Sequence, residues 1–197
     1  MKELNQLAGE SRAGFPLPES ISPPPRSLFP DWKSWIRDMV TSLGIAGVVI
    51  VFLYQPVKVE GTSMMPRLTD QERIFINKFV YRFEPIHRGD VIVFRYPLDP
   101  AKSYIKRVIG LPGETVQMVD GEVFVNGRKL TEPYVLSIYR DHQSHRPIVV
   151  PPGEFYVLGD HRNSSNDSRL WGPVAQKYIY GKAVFIYWPM ERFGFVE

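Results

Sequence analysis

The chain has no cysteine. That absence excludes disulfide frameworks, thiol nucleophiles and cysteine-ligated zinc together, and leaves the redox character of the compartment open. Charge of one sign is also scarce: 24 Lys and Arg against 21 Asp and Glu leave a net +3 over 197 residues. Five bases and five acids offset each other in residues 1–57, so the excess is scattered through 58–197. A nucleic-acid binder shows a dense basic stripe with interleaved aromatics, and no such partner is expected here. Histidine is limited to His87, His142, His145 and His161. The His142-x-x-His145 pair lacks further ligands for a metal site.

What is present falls into three parts. Residues 1–35 are rich in Pro, Ser and Gly, notably Phe15-Pro16-Leu17-Pro18 and Pro23-Pro24-Pro25, which resist helix and sheet and read as a flexible tail. Met39 to Val57 is then uncharged over 19 residues and includes Val48-Val49-Ile50-Val51-Phe52-Leu53. That length matches the ~20 residues a helix needs to cross a hydrocarbon core. Trp32 and Trp35 before it and Tyr54 after it suit the two boundaries. Residues 36–57 are therefore expected to form a transmembrane helix ended by Gln55-Pro56. A buried core helix is the competing reading, since Thr41, Ser42 and two glycines dilute the run. Lys33 and Arg37 on one flank and Lys58, Arg67 and Arg73 on the other leave its orientation undecided.

Residues 58–197 turn to β patterning. Short runs of β-branched and aromatic residues recur at Arg73–Asn77, Val91–Phe94, Thr115–Val119, Glu122–Val125, Glu154–Leu158 and Ala183–Trp188. Arg88-Gly89-Asp90, Asp120-Gly121, Asn126-Gly127 and Pro151-Pro152-Gly153 punctuate them. The two Asx-Gly pairs predict hairpin turns, because both residues tolerate positive φ. The expected fold is mainly β: a compact, barrel-like antiparallel domain behind one N-terminal transmembrane helix.

Four segments can carry chemistry or support it. Gly61-Thr62-Ser63-Met64-Met65-Pro66 places a serine in a loop beside two large apolar side chains, which suggests that substrate or lipid docks there. Tyr104 to Ile109 reads as a strand in which Lys106 shares a face with Tyr104 and Val108. A lysine so placed is usually a snorkelling surface group; desolvated, it would lose its proton more easily. Gly159-Asp160-His161-Arg162-Asn163-Ser164-Ser165-Asn166-Asp167-Ser168-Arg169 is a loop dense in donors and acceptors, where Asp160, Asp167 and Arg169 can pair into a rigid scaffold. Arg88 to Phe94 reads as a turn and core strand with a structural role.

Serine needs a base to become a nucleophile. His161 is the one histidine inside a motif segment, so a Ser63/His161 dyad competes with a Ser63/Lys106 dyad. The penicillin-binding S-x-x-K pattern fails, because Met64-Met65-Pro66 follows Ser63. The G-x-S-x-G elbow fails at Met65. A membrane-anchored β domain that binds a partner without catalysis is the non-enzymatic alternative.

The four segments, in this order behind an apolar N-terminal run, resemble the conserved boxes of bacterial type I signal peptidases over roughly residues 36–190. The tail and compact catalytic region are similar to the cyanobacterial and thylakoid members. The resemblance implies a membrane-bound serine endopeptidase that removes signal peptides from exported preproteins, with no metal or cofactor. It implies Ser63 as nucleophile, Lys106 as general base, Ser165 as the group orienting the lysine, and Asp167 with Arg169 as a supporting ion pair. Gly159 and Asp160 belong to the same loop, and Met64 flanks the nucleophile. Gly61 stands where some members carry a serine that assists the oxyanion hole. The hole is therefore expected from the Ser63 N–H with help from Gly61 or Thr62. A cytoplasmic N-terminus, a catalytic domain on the trans side of the cell or thylakoid membrane, a monomer, and small residues before the cleaved bond also follow from the resemblance. Self-cleaving repressor-type Ser/Lys proteases share the dyad, but would bring a DNA-binding domain in place of the apolar run.

Overall fold

In a computed structural model of the protein, residues 32–196 are described. The expected tail lies outside them except for its last four residues, which are helical. The chain divides into two units, 1–43 and 44–197.

Helix α1 (Trp32–Leu53) carries Lys33, Arg37 and Asp38 in its first two turns. Large apolar side chains along it, including Leu43, Ile45, Val48 and Phe52, are exposed. Among the described residues no helix is long and apolar enough to cross a membrane. The helix departs from the expected bounds of 36–57 at both ends. Helix starts earlier, among charges, and stops at Leu53, because Tyr54 to Lys58 pair as a strand with 73–77. The uncharged helical part, Met39–Leu53, is about 22 Å long at 1.5 Å per residue, against the ~30 Å of a hydrocarbon core.

Twelve strands follow among the described residues: β1 (Tyr54–Lys58), β2 (Arg73–Asn77), β3 (Val91–Tyr96), β4 (Asp99–Gly110), β5 (Thr115–Val119), β6 (Glu122–Val125), β7 (Arg128–Lys129), β8 (His145–Val149), β9 (Glu154–Leu158), β10 (Val174–Ala175), β11 (Ile179–Trp188) and β12 (Gly194–Phe195). Eight form one antiparallel sheet in the order β1-β2-β11-β3-β4-β9-β10, with β12 also on β11; β7-β6-β5-β8 form a second. The expected barrel is corrected here. Both end strands of the larger sheet, β1 and β10, pair on one side, so the sheet stays open.

Strand β3 explains how the core is shared. Its Val91 and Val93 join Val59, Met64, Leu68, Ile74 and Ile76 on one side. Its Ile92 and Phe94 join Val108, Phe155 and Val157 on the other. A strand apolar on both faces, as the run Val91–Phe94 is, suits burial on both faces. Strand β4 then leads into the smaller sheet. A Cβ at Gly110 would lie 2.4 Å from a Val116 methyl, so glycine permits the sheets to meet. The hairpin turns form as expected, with φ of +48° and +75° at Asp120-Gly121 and +51° and +76° at Asn126-Gly127.

Candidate active site

Strand β4 carries Lys106, and pairing sets its place: Lys106 lies opposite Ile92 of β3. The ladder to β9 begins at the next residue, where Arg107 faces Leu158. The loop after β9 therefore emerges beside the lysine. The loop between β1 and β2 supplies Ser63, held by a turn in which the Met65 N–H donates to the Thr62 carbonyl at 3.0 Å. Met64, read with Met65 as marking a place where substrate or lipid docks, lines the groove at Ser63 but is 2% exposed and packs with Val59, Leu68 and Ile74. An unbranched apolar side chain suits that core position, which pins the loop beside the serine.

The Lys106 Nζ donates to Ser63 Oγ at 2.7 Å and to the Ile105 carbonyl at 3.1 Å. Lys106 is 4% exposed and its Nζ sits 5.2 Å from the centre of the Tyr104 ring. Burial pushes its pKa down from 10.5 to about 8; nearby Asp167 and Asp160 pull it up and Arg169 pushes it further down. Desolvation wins, because neither carboxylate pairs with the amine; each is held by an arginine.

Those arginines build the scaffold. Arg107 Nε and a terminal nitrogen meet the two carboxylate oxygens of Asp160 at 2.9 and 2.8 Å, and its other terminal nitrogen donates to the Gly89 carbonyl at 2.9 Å. Burial pushes the Asp160 carboxyl up, against the pull of Arg107. Arg169 clasps Asp167 through two 2.8 Å bonds and also pairs with Asp141. Asp167 then accepts the Gly159 N–H at 3.0 Å. Arg162 pairs with buried Glu132 and donates to the Gly159 carbonyl at 3.0 Å. Sequence reasoning named Asp160, Asp167 and Arg169, but missed Arg107, Glu132, Arg162 and Asp141. The signal available was Arg107 between Ile105 and Ile109 on one strand face, a position that demands a buried partner.

Gly159 is required by crowding. A Cβ there would lie 2.2 Å from Ser165 Oγ and 2.4 Å from the Ser63 carbonyl oxygen. Ser165 Oγ is buried with no hydrogen-bond partner among the described residues. The expectation that Ser165 holds the lysine amine is thus corrected: its hydroxyl turns toward Gly159, and the amine takes the Ile105 carbonyl instead. Gly61 also departs from expectation. Its N–H is occupied by Asp70 at 2.8 Å, so it is no oxyanion donor; its φ of +93° shapes the turn instead. The Ser63 and Thr62 N–H groups make no hydrogen bond to any described residue. His161 addresses backbone rather than the serine hydroxyl, with Nδ1 3.1 Å from the Thr62 carbonyl.

A groove of about 710 Å³ opens at Ser63 and Lys106. Val57 to Gly61 line one side, Ala101 to Ile105 the other, with Tyr180 and Asn166 completing it.

Residues 32–188 match the family described as signal peptidase, peptidase S26. The chain belongs to this family. It is 37% identical over 196 residues to a signal peptidase I of Leptolyngbya laminosa, covering 93% of this chain and 95% of that one. It is 38% identical over 170 residues to a probable signal peptidase I of Synechocystis, covering 82% and 85%. A signal peptidase I of Bacillus subtilis is 37% identical over 170 residues, covering 82% and 88%. Relatives in this peptidase family thus include cyanobacterial proteins, in line with the subgroup resemblance.

Proposed function

We propose that this peptidase removes N-terminal signal peptides from exported preproteins through an acyl-enzyme on Ser63, with Lys106 as general base. The observation that carries the reading is a nearly dry amine 2.7 Å from a hydroxyl. With a pKa of about 8, roughly a tenth of the lysine is neutral at pH 7, against well under a thousandth for an ordinary amine. Neutral Lys106 takes the Ser63 proton as the hydroxyl oxygen attacks the scissile carbonyl. The Ser63 N–H, with Thr62 beside it, receives the developing oxyanion. The ammonium then protonates the departing amine, and the regenerated base activates water to release the acyl group. Asp160, Asp167, Arg169 and Gly159 hold the loop that walls the site, and Ser165 fills the space against Gly159.

Substrate enters as an extended segment. Residues Ser103 to Ile105 pair with β3 on one side, while the ladder to β9 begins at Arg107. Their other edge faces the groove and suits added-strand binding. Small residues before the scissile bond fit closest to Ser63. The exposed apolar side chains of α1 attach the enzyme to the bilayer, and its working position is the trans face, where signal peptides are presented. The proposed enzyme acts as a monomer.

The test is cleavage of a preprotein in membrane vesicles by the parent, Ser63→Ala and Lys106→Ala proteins. Both variants should lose cleavage while keeping the parent's β-sheet circular dichroism. Cleavage by Ser63→Ala at the parent rate would refute the reading, and a folded parent that binds preprotein without cutting it would favour the binding-domain alternative.

A further inference from the structure

The loop that carries Ser63 is fastened from the far end of the chain. Arg192 sits in a short 3₁₀ turn, Met190–Arg192, between β11 and β12. Its Nε donates to Glu72 at 2.8 Å, and one terminal nitrogen donates to the Pro66 and Arg67 carbonyls at 2.9 and 2.8 Å. Glu72 is 1% exposed, and its second oxygen accepts the Thr69 N–H at 3.0 Å. A single guanidinium therefore ties three points of the segment between the serine and β2. Arg67 adds a return bond to the Phe195 carbonyl at 2.9 Å.

We propose that Arg192, seated on Glu72, is a positioning residue for the Ser63 nucleophile. The inference rests on the reading of Ser63 as nucleophile and Lys106 as its base. Sixty-six to 67 are the first carbonyls after Met64 and Met65, and Met64 anchors the other end of the same turn in the core. The two attachments leave Ser63 little freedom to drift from Lys106. A planar fork that reaches a carboxylate and two carbonyls at once suits arginine rather than lysine. The same loop covers the Lys106 amine, whose Nζ lies 2.7 Å from the Ser63 hydroxyl in a lysine only 4% exposed. Loosening the loop must therefore both misplace the hydroxyl and let water reach the amine. Hydration raises the amine pKa, so the acid limb of the rate profile must move to higher pH.

The test compares the full-length parent, Arg192→Ala, Arg192→Lys and Ser63→Ala on a signal-peptide substrate across pH, with thermal unfolding in parallel. Arg192→Ala should lower kcat about tenfold or more, within the ~100-fold that a 1 Å misplacement can cost. KM should change less than twofold, and the acid limb should move up. Exogenous guanidinium should restore part of kcat. Arg192→Lys should fall between the two and carries the same readouts should the alanine variant fail to fold. An unmoved acid limb with unchanged kcat, or a loss wholly accounted for by the unfolded fraction, overturns the role of Arg192. Full activity in Ser63→Ala would instead remove the reading beneath it.

Discussion

The Ser63 carbonyl accepts the backbone N–H of His161 at 3.1 Å. Nucleophile loop and post-β9 loop are thus joined through main chain, with the His161 ring adding a bond to the Thr62 carbonyl and a contact with Tyr139. A side-chain substitution leaves the main-chain link in place. His161→Ala should therefore lower kcat/KM by no more than about tenfold, whereas loss of a general base costs about 10²- to 10⁴-fold. Steady-state kinetics on a peptide substrate separate the two.

Gly159 has no room to grow. Gly159→Ala would drive a methyl into Ser165 Oγ and the Ser63 carbonyl, forcing backbone apart at the site. Activity should fall about 100-fold, on the scale of a 1 Å misplacement, while overpacking costs about 1–3 kcal/mol of stability. Adding Ser165→Ala should restore little, because the Ser63 carbonyl contact remains. Activity and denaturant unfolding of the single and double variants check this.

Lys106 should stabilise catalysis at the expense of the fold. Its pKa of about 8 lies below the ordinary 10.5. Below pH 8 both folded and unfolded states hold the proton, and burying the ammonium costs the folded state about 3 kcal/mol. Between 8 and 10.5 the unfolded chain binds more protons, so this contribution to stability rises with pH. Lys106→Met keeps the stem and drops the charge. It should abolish cleavage yet unfold at higher denaturant at pH 7, with the gain disappearing by about pH 10.5. Urea titrations at the two pH values measure it.

The Arg107–Asp160 pair is 2% and 0% exposed. Removing one partner, as in Asp160→Asn, leaves a buried guanidinium half-paired and should cost about 3–5 kcal/mol. The double variant Arg107→Met/Asp160→Leu should cost less than the two single changes added together. A double-mutant cycle by chemical denaturation gives the answer.

What could be read in advance follows the range of the interactions. Hairpin turns at Asp120-Gly121 and Asn126-Gly127 and the all-apolar strand β3 depend on local backbone and burial preferences, and the sequence pattern carries both. Strand β8 is absent from the runs read in the sequence, because Pro147 and the basic residue before it break the apolar pattern. It lies at the edge of the smaller sheet, where proline is tolerated. The N-terminal helix is placed by its uncharged run, boundary aromatics and Gln55-Pro56, none of which shows that Tyr54 to Lys58 find strand partners in β2. Within the site, Ser63 and Lys106 could be nominated by residue chemistry. Glu132 with Arg162 and Asp141 with Arg169 could not, since each pair joins distant segments and Glu132 and Asp141 stand outside the marked motifs. The Ser165 hydroxyl and the Gly61 N–H show the reverse limit: residue type was read correctly, but orientation depends on neighbours such as Gly159 and Asp70.

The most direct test of the account is a pH titration of the Lys106 side chain in the folded protein, followed by NMR of 15N-labelled lysine. A midpoint of about 8 is predicted from its burial, coinciding with the acid limb of kcat/KM, below which the rate falls about tenfold per pH unit. A midpoint near the ordinary ~10.4 of a solvated amine would contradict the assignment of Lys106 as the base.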